Sequence, residues 1–411
     1  MDLMPRCYTS INFQQVQNQT LRNPLLQLSF NFVSSFEAED SWADQTNKAT
    51  ITFPKNIYAY DPSTKQTISL GGSSNPDKWV NNLFNKGDAV TFNFGYYRYD
   101  TTGREILDIP STPVFSGYIS KVNSKKPIVL ELEDNMWLLK QIPCTPQVWP
   151  STQPIENLLT NLLQGTGFNV NALTDTTIPD LEIQNISVAQ LLEKLRNEYH
   201  LEAYFRGNQL RIGSQVYIEA EAVTSTFVFQ QNIISDELTF QRLNDLKLSI
   251  VCESLNEQLT GGANKNGQQK SEQQRLSVLV YPDSKGAWKY MKQNGDTPFP
   301  ENSEGERRTL NFNNITNAAT LAQRGLDELA KYYYTGFKGK FTTFAVPCVK
   351  QGDNVNIIDP VLPDRNGVYK VRSVKYSGGI SGHRQVIELD YKLYVVNNTI
   401  TTPPPLQLAS S

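Results

Sequence analysis

Gly87-Asp88-Ala89-Val90-Thr91-Phe92 and Gly352-Asp353-Asn354-Val355-Asn356-Ile357 carry one pattern twice, and reading them as one structural unit decides the fold. In each, Gly-Asp supplies a tight turn and feeds a strand whose alternate members face a core. Downstream in each copy a Gly and a Tyr lead into another strand, Gly117-Tyr118-Ile119-Ser120-Lys121-Val122 and Gly367-Val368-Tyr369-Lys370-Val371. Each copy closes on an apolar–acidic strand, Ile128-Val129-Leu130-Glu131-Leu132 and Gln385-Val386-Ile387-Glu388-Leu389, followed by Asp134 or Asp390. Three matches in the same order predict a duplicated unit. Gly87, Asp88, Gly117, Tyr118, Gly352, Asp353, Gly367 and Tyr369 are the residues expected to mark it.

Around the first copy, short alternating segments such as Ala49-Thr50-Ile51-Thr52-Phe53 and Val114 to Val122 are broken by the turn residues Asn75-Pro76-Asp77, Asn85-Lys86-Gly87 and Thr101-Thr102-Gly103. This is the pattern of an antiparallel barrel or sandwich. Met136-Trp137-Leu138-Leu139-Lys140 is expected to cover one barrel end. From Thr145-Pro146 the pattern turns helical: Ile155, Leu158, Leu159 and Leu162 form one stripe, and Val188, Leu191, Leu192 and Leu195, capped by Ser187, form another. Leu201 to Arg206, the Gly207-Asn208 turn and Gln209 to Ile212 read as a hairpin. The expected fold class is mainly β with α+β modules. Two related antiparallel β-barrels occupy residues 1–145 and 221–255 with 337–396, a small α/β domain 146–220, and an inserted α+β subdomain 256–336 that opens on a polar loop (about 256–274) and holds a helix from about Ile315 to Tyr334. A flexible Pro-rich tail, 397–411, completes the chain.

At 411 residues there is room for several domains. The 38 basic and 41 acidic side chains, net charge −3, argue against a protein that grips nucleic acid by its phosphates. Charged residues are only 19% of the chain while mean hydropathy is −0.43, so Gln, Asn, Ser and Thr supply the polarity. Cys7, Cys144, Cys252 and Cys348 lie far apart without zinc-site spacing and read as small buried hydrophobes. The first residues lack a signal-peptide core, and no stretch is long and apolar enough to span a membrane. With only His200 and His383, histidine-based catalysis has little to draw on. His200 reads as a helix-terminal cap and His383 as a solvent-facing turn residue. No phosphate loop or dinucleotide fingerprint occurs, and Gly261 to Gly267 reads as a mobile loop. Glu131 and Glu133 project from one face of a strand, either as a glycosidase-like pair or as the acidic face of a half-exposed strand. Trp149 and Trp288 are candidate exposed aromatics for a glycan-binding module. No cofactor and no metal site is expected.

The chain resembles the baseplate or tail hub proteins of bacteriophages and related injection machines: the hub of phage T4, the Mu-type hub, late control protein D and the N-terminal part of the VgrG spike. The resemblance rests on Leu83-Phe84-Asn85-Lys86-Gly87-Asp88, Phe115-Ser116-Gly117-Tyr118-Ile119, Glu133-Asp134-Asn135-Met136-Trp137-Leu138-Leu139-Lys140, Gly339-Lys340-Phe341-Thr342-Thr343-Phe344-Ala345-Val346-Pro347, Gln351-Gly352-Asp353-Asn354-Val355 and Asn366-Gly367-Val368-Tyr369. It implies a non-enzymatic virion tail protein, assembled in the host bacterial cytoplasm. Its homotrimer would form a pseudo-sixfold ring that joins the sixfold tail tube to a threefold tip around a channel. The implied partners are a tail tube or distal tail protein and a spike, fibre or tape-measure protein. The VgrG-type needle has no counterpart after Thr401-Thr402-Pro403-Pro404-Pro405, so the spike is expected on a separate polypeptide.

Overall fold

The alternation that predicts strands is matched by alternating burial in the computed structural model, which describes residues 6–14, 27–42, 44–55, 58–61, 65–69, 84–99, 101–110, 112–123, 127–173, 176, 178, 180–213, 222–243, 248–263, 269–283, 287–295, 297–300, 305–313, 315–396, 399–402 and 406–408. Leu83, the Asn75-Pro76-Asp77 turn, 264–268 and Pro403–Pro405 lie outside them. The first β region contains β1 (Arg6–Gln14), β2 (Gln27–Phe30), β3 (Ser35–Ser41), β4 (Lys48–Thr52), β5 (Tyr58–Asp61), β6 (Gln66–Ser69), β7 (Ala89–Tyr99), β8 (Glu105–Asp108), β9 (Phe115–Asn123) and β10 (Val129–Asp134). The central run β3-β4-β10-β9-β7-β1 is antiparallel throughout. In β10, Leu130 and Leu132 are buried while Glu131 is exposed, the period of two expected of a strand with one wet face. Phe13, Phe30, Phe53 and Phe84 meet beneath, ring centroids 4.9 to 6.4 Å apart. Each buried ring contributes roughly 2–3 kcal/mol.

Then come α1 (Met136–Leu139), β11 (Gln147–Trp149), α2 (Ile155–Leu162), β12 (Asn169–Ala172), β13 (Leu181–Ile183), α3 (Val188–Tyr199), β14 (Glu202–Arg206) and β15 (Gln209–Gly213). Both helices fall where the leucine stripes placed them, and Leu158, Leu159, Leu191, Leu192 and Leu195 share one core with the β14–β15 hairpin. Ser187 and Gln190 form a reciprocal capping box at the start of α3, and His200 ends it in the left-handed conformation at φ 55°.

The chain continues through β16 (Thr224–Val228), β17 (Ile233–Gln241), β18 (Leu248–Ala263), β19 (Gln269–Pro282), β20 (Trp288–Lys292), β21 (Glu306–Asn313), α4 (Ala318–Leu329), β22 (Gly336–Phe344), β23 (Asn354–Ile358), β24 (Gly367–Gly379), β25 (Arg384–Val396) and β26 (Thr399–Thr401). The second β region runs β17-β22-β25-β24-β23, all antiparallel, with β16 parallel to β23. Both β regions share one continuous apolar core. β18 to β21 form a separate four-stranded sheet packed on α4. Leu248, Ile250 and Cys252, read from sequence as part of the second barrel, lie in this further core.

Three readings are corrected. The polar loop expected from about 256 to 274 is largely hairpin, because β18 and β19 pair from Ile250↔Val280 out to Ala263↔Gln269. Main-chain ladder bonds sustain those strands without an alternating apolar face, and Gly261 and Gly262, read as loop, lie within β18. The segment read as a flexible tail is held twice: β26 pairs with β25, and Leu406 and Leu408 pack against the core beneath α4, where Gln323 donates to the Leu406 carbonyl at 2.9 Å. His383, expected in solvent, is fully buried among the rings of Phe36, Phe94 and Tyr96. A turn in sequence becomes interior here because the first β region packs over it.

Candidate functional site

The two Gly-Asp turns superpose bond for bond. Gly87 takes φ +91° and Gly352 φ +78°, the left-handed region in which glycine is favoured. In the first copy the Gly87 N–H donates to the Ile119 carbonyl (2.8 Å), the Ile119 N–H to the Asp88 carbonyl (2.9 Å) and the Asp88 N–H to the Asn85 carbonyl (3.1 Å), while the Asp88 carboxylate accepts from the Asn85 N–H at 2.9 Å. In the second copy Gly352 donates to Val371 (3.1 Å), Val371 to Asp353 (2.9 Å) and Asp353 to Lys350 (3.1 Å), while the Asp353 carboxylate accepts from the Lys350 N–H at 3.0 Å. Buried Asp88 and Asp353 therefore clamp the turn that launches β7 or β23.

These bonds make Ile119 the counterpart of Val371, and the ladders agree. Tyr118 sits opposite Ala89 as Lys370 sits opposite Asn354. The alignment of Gly117 with Gly367 is thus two residues out of register, and that of Tyr118 with Tyr369 one residue out. Gly117 corresponds to Tyr369, Tyr118 to Lys370, and Gly367 to Phe115. The glycines serve different ends: a Cβ on Gly117 would lie 2.0 Å from the Glu133 carbonyl, whereas one on Gly367 would meet the Tyr369 ring. On the closing strands Leu132 opposes Ile119 as Leu389 opposes Val371, and Glu131 opposes Lys121 as Glu388 opposes Ser373. Both copies therefore bulge at the same point, with Ser120 or Arg372 as the extra residue. Asp390 corresponds to Glu133 rather than to Asp134.

The copies are joined edge to edge. β24 adds to β3 through seven antiparallel pairs from Ser373↔Ser41 to Gly379↔Ser35, with Lys375 3.4 Å from Glu39 across the seam. The bulge residue Arg372 holds its guanidinium 5.8 Å from the Trp42 ring centre, and Trp42 packs on Tyr204 of β14.

Beside this seam both copies meet the α/β module in a polar cleft of about 70 Å³ lined by Asp40, Asp134, Asn135, Arg206, Lys350 and Gln351. Arg206 donates to the Asp353 carboxylate at 2.7 Å, and the Val223 N–H reaches the same carboxylate at 3.2 Å. The Gln351 N–H donates to Asp40 (3.1 Å) and its side chain to the Phe205 carbonyl (3.2 Å). Asn135 donates to the Gly207 carbonyl at 2.9 Å, and the Lys350 ammonium reaches Thr112 and Pro113. Trp137 of α1 stacks on Tyr118 and lies over Gly87, while Met136 and Leu139 enter the module core, so α1 ties the first copy to the module. Burial pushes Asp134 up to about 7 against the pull of the Asn47 and Met136 backbone, and pushes Asp40 up to about 6 against Gln351 and Lys350. Burial lowers Lys370 to about 7, opposed by Asp353. The junction is built to fix three units together. Sequence motifs included Asp134, Asn135, Gln351 and Asp353 but missed Arg206 and Asp40, whose partners Asp353 and Gln351 lie more than 100 positions away; the one local signal was an arginine just before the Gly207-Asn208 turn.

The other candidates fall elsewhere. Glu131 pairs with Lys121 at 2.8 Å and Glu133 with Lys140 at 2.7 Å, so each carboxylate is matched by a lysine. Trp149 and Trp288, expected to be exposed, are 9% and 6% exposed, the former donating to the Gln153 carbonyl and the latter against Tyr333. His200 donates through Nε2 to the Asn311 carbonyl at 2.8 Å, and burial lowers His383 to about 4. Cys7 is exposed and Cys348 half-buried, against the expectation of burial, while Cys144 and Cys252 are buried. Among the described residues no His, Cys, Asp and Glu side chains group to hold a metal, and no helix is long and apolar enough to cross a membrane.

No protein-family model matches the chain, and no curated protein does. Solved structures do. The tail protein from Neisseria meningitidis MC58 is 11% identical, with a TM-score of 0.54 over 94% of this chain and 96% of its own. The 43 kDa tail protein of prophage MuSo2 from Shewanella oneidensis is 13% identical, with a TM-score of 0.50 over 93% of this chain and 97% of its own. Near-complete coverage in both directions means that the whole arrangement, not one barrel, is shared: the fold is mainly β, with large antiparallel sheets, and similar to that of these tail proteins.

Proposed function

We propose that the chain is a structural tail hub of a phage-type injection particle, a virion tail component assembled in the host cytoplasm. Three copies form a ring in which six similar barrels face a sixfold tail tube while the threefold arrangement of chains receives a spike or fibre, around a channel for the genome. The observation that carries the reading is the repetition of the turn network and the bulge in two copies fused through β3 and β24. A chain that presents the same unit twice gives a trimer six equivalent contact surfaces. The similarity in fold to two bacterial tail proteins supports it. The domain scheme proposed with it keeps the first barrel at 1–145, the α/β domain at 146–220 and the second barrel's later part at 337–396, but ends the barrel's earlier part, read as 221–255, before Leu248, which joins the inserted unit. The repeat residues Gly87, Asp88, Gly352 and Asp353 act as turn clamps, and the role is assembly rather than catalysis. The partners are a tube or distal tail protein on one face and a spike, fibre or tape-measure protein on the other. Light scattering during size exclusion tests the reading. A species of about 139 kDa, three times 46.4 kDa, is expected. A monomer that stays monomeric when tube and spike proteins are added would overturn it.

A further inference from the structure

The outer face of the first β region carries a groove that the junction and the repeat do not use. In β1, Thr9, Ile11 and Phe13 face the core while Tyr8, Ser10 and Asn12 face outward; in β7, Val90, Phe92 and Phe94 face the core while Thr91 and Asn93 face outward. The register sets Asn12 beside Thr91, Ser10 beside Asn93 and Tyr8 beside Gly95. The chain that follows β8 crosses this face. A Cβ on Gly95 would lie 2.1 Å from the Asp108 carbonyl, so the missing side chain is what lets the crossing lie against the sheet, and the Asn93 side-chain amide reaches the Pro110 carbonyl at 3.4 Å. Together with Pro113 this crossing walls one side, and the face becomes a groove of about 120 Å³ lined by Tyr8, Ser10, Asn12, Thr91, Asn93 and Pro113. Its floor from Tyr8 to Asn12 runs about 13 Å along the strand.

None of those six side chains is charged, yet the groove is rich in unspent hydrogen-bonding capacity. Among the described residues the hydroxyls of Tyr8, Ser10 and Thr91 have no hydrogen-bond partner. Asn12 accepts from the Ser29 hydroxyl at 2.7 Å through Oδ1, which leaves its amide NH2 to donate, and Asn93 is fixed by the Phe94 N–H at 3.2 Å. The Tyr8 ring stands edge-on to Tyr97, centroids 5.5 Å apart, and the Arg6 guanidinium lies 4.9 Å from the Tyr97 ring centre, so the aromatic end is held in place. These features select the occupant. A phosphate-bearing ligand finds no cation in the lining. An apolar partner would cover the three hydroxyls and the Asn12 amide without pairing them. A peptide cannot add to β7 as a strand, because β1 pairs along one side of it and β8 and β9 along the other. A neutral sugar meets every requirement: its hydroxyls donate and accept against Ser10, Asn12, Thr91 and Asn93, and its C–H face lies on Tyr8 and Pro113. We propose that the β1–β7 groove binds a neutral glycan, a short run of sugar units from an uncharged polysaccharide. The site is remote in sequence from Trp149 and Trp288 and does not depend on the hub reading.

The test applies the full-length protein to an array of neutral oligosaccharides built from hexoses, deoxyhexoses and N-acetylhexosamines, with sialylated and uronic-acid oligosaccharides as a charged arm, and titrates the sugars that bind by saturation-transfer NMR. Tyr8→Ala removes the ring on which a sugar lies, and Thr91→Arg fills the groove; each should weaken binding by about tenfold or more. Thr91 is exposed, so Thr91→Arg should keep the parent's melting temperature and carries the test if Tyr8→Ala disturbs the fold. Loss of binding in Thr91→Arg with an unchanged melting temperature supports the site. Failure of every neutral oligosaccharide to bind overturns the proposal. Binding that survives Thr91→Arg places the sugar elsewhere and also overturns it. Tighter binding of the charged arm, weakened by salt, overturns the assignment to a neutral glycan. All of these outcomes leave the hub reading untouched, since that reading stands or falls on the mass in solution.

Discussion

Asp88 and Asp353 hold the same turn in the two copies, yet their removal should cost very different amounts. Asp88→Ala removes a carboxylate that accepts from the Asn85 N–H at 2.9 Å. A buried backbone donor left unsatisfied costs about 1–2 kcal/mol. Asp353→Ala removes the matching bond from Lys350, a second from Val223, and the 2.7 Å ion pair with Arg206. The side chains of that pair are 17% and 6% exposed, so truncating the acid strands a charge that water reaches poorly, at about 3–5 kcal/mol. The expected difference between two structurally equivalent substitutions is about 2 kcal/mol, and its source is testable by adding Arg206→Met. In the double variant no charge is stranded, so the combined cost should fall short of the sum by about 2 kcal/mol. Urea unfolding followed by intrinsic fluorescence measures the unsubstituted protein, the three single variants and the double variant, since Trp137 lies over Gly87 and Trp149 sits in the adjoining module. Analysis belongs to the first transition alone, because a chain with several cores does not unfold as one unit. Equal losses at Asp88 and Asp353, or a coupling below about 0.5 kcal/mol, would refute the argument that Arg206 distinguishes the two turns.

Three further outcomes follow from the same geometry. Because burial raises Asp134 from 3.8 to about 7, the folded form holds that proton more tightly than the unfolded chain, so its contribution is fully present below pH 4 and is lost as pH rises to 7. Asp134→Asn keeps an oxygen for the Met136 N–H and should flatten the pH dependence of the melting temperature across that window, gaining at most on the order of 4 kcal/mol at pH 8. Gly117→Ala drives a Cβ against the Glu133 carbonyl and should lower the melting temperature well beyond Gly103→Ala, where nothing lies within 4 Å and only about 1–2 kcal/mol of left-handed backbone strain remains. Ser187→Ala removes one half of the capping box and should cost about 1 kcal/mol, seen as faster hydrogen exchange in the first turn of α3.

Local physics made much of this architecture legible. A left-handed glycine followed by an aspartate that bonds the residue three before it leaves a short signature, and it appears twice. Leucines at helical spacing placed α2 and α3, since burial of one helix face is written within a few turns. What failed was whatever depends on distant partners. The Gly-Tyr pairs were matched by identity, whereas register is set by ladder pairs between separate strands, and that slip gave Gly367 the place opposite Gly117 that belongs to Tyr369. His383 looked like a turn residue because the Phe36, Phe94 and Tyr96 rings that enclose it come from the other end of the chain. The β18–β19 hairpin was hidden because main-chain pairing leaves no mark in hydropathy. Arg206 and Asp353, 147 positions apart, carry no local trace of each other.

The β3–β24 seam also sets a problem in time. Ser41 leaves the ribosome about 330 residues before the Ser373 that will cover its edge. At roughly 5–20 residues per second, that edge waits for about 15 to 65 s in a crowded cell. The sequence of β3, Ser35-Phe36-Glu37-Ala38-Glu39-Asp40-Ser41, carries three acidic side chains in seven residues. Charge of that density on a nascent edge discourages pairing with the wrong neighbour, and one of those acids, Glu39, later meets Lys375 when the second copy arrives. The residue that shields the strand during synthesis thus becomes part of the closed seam.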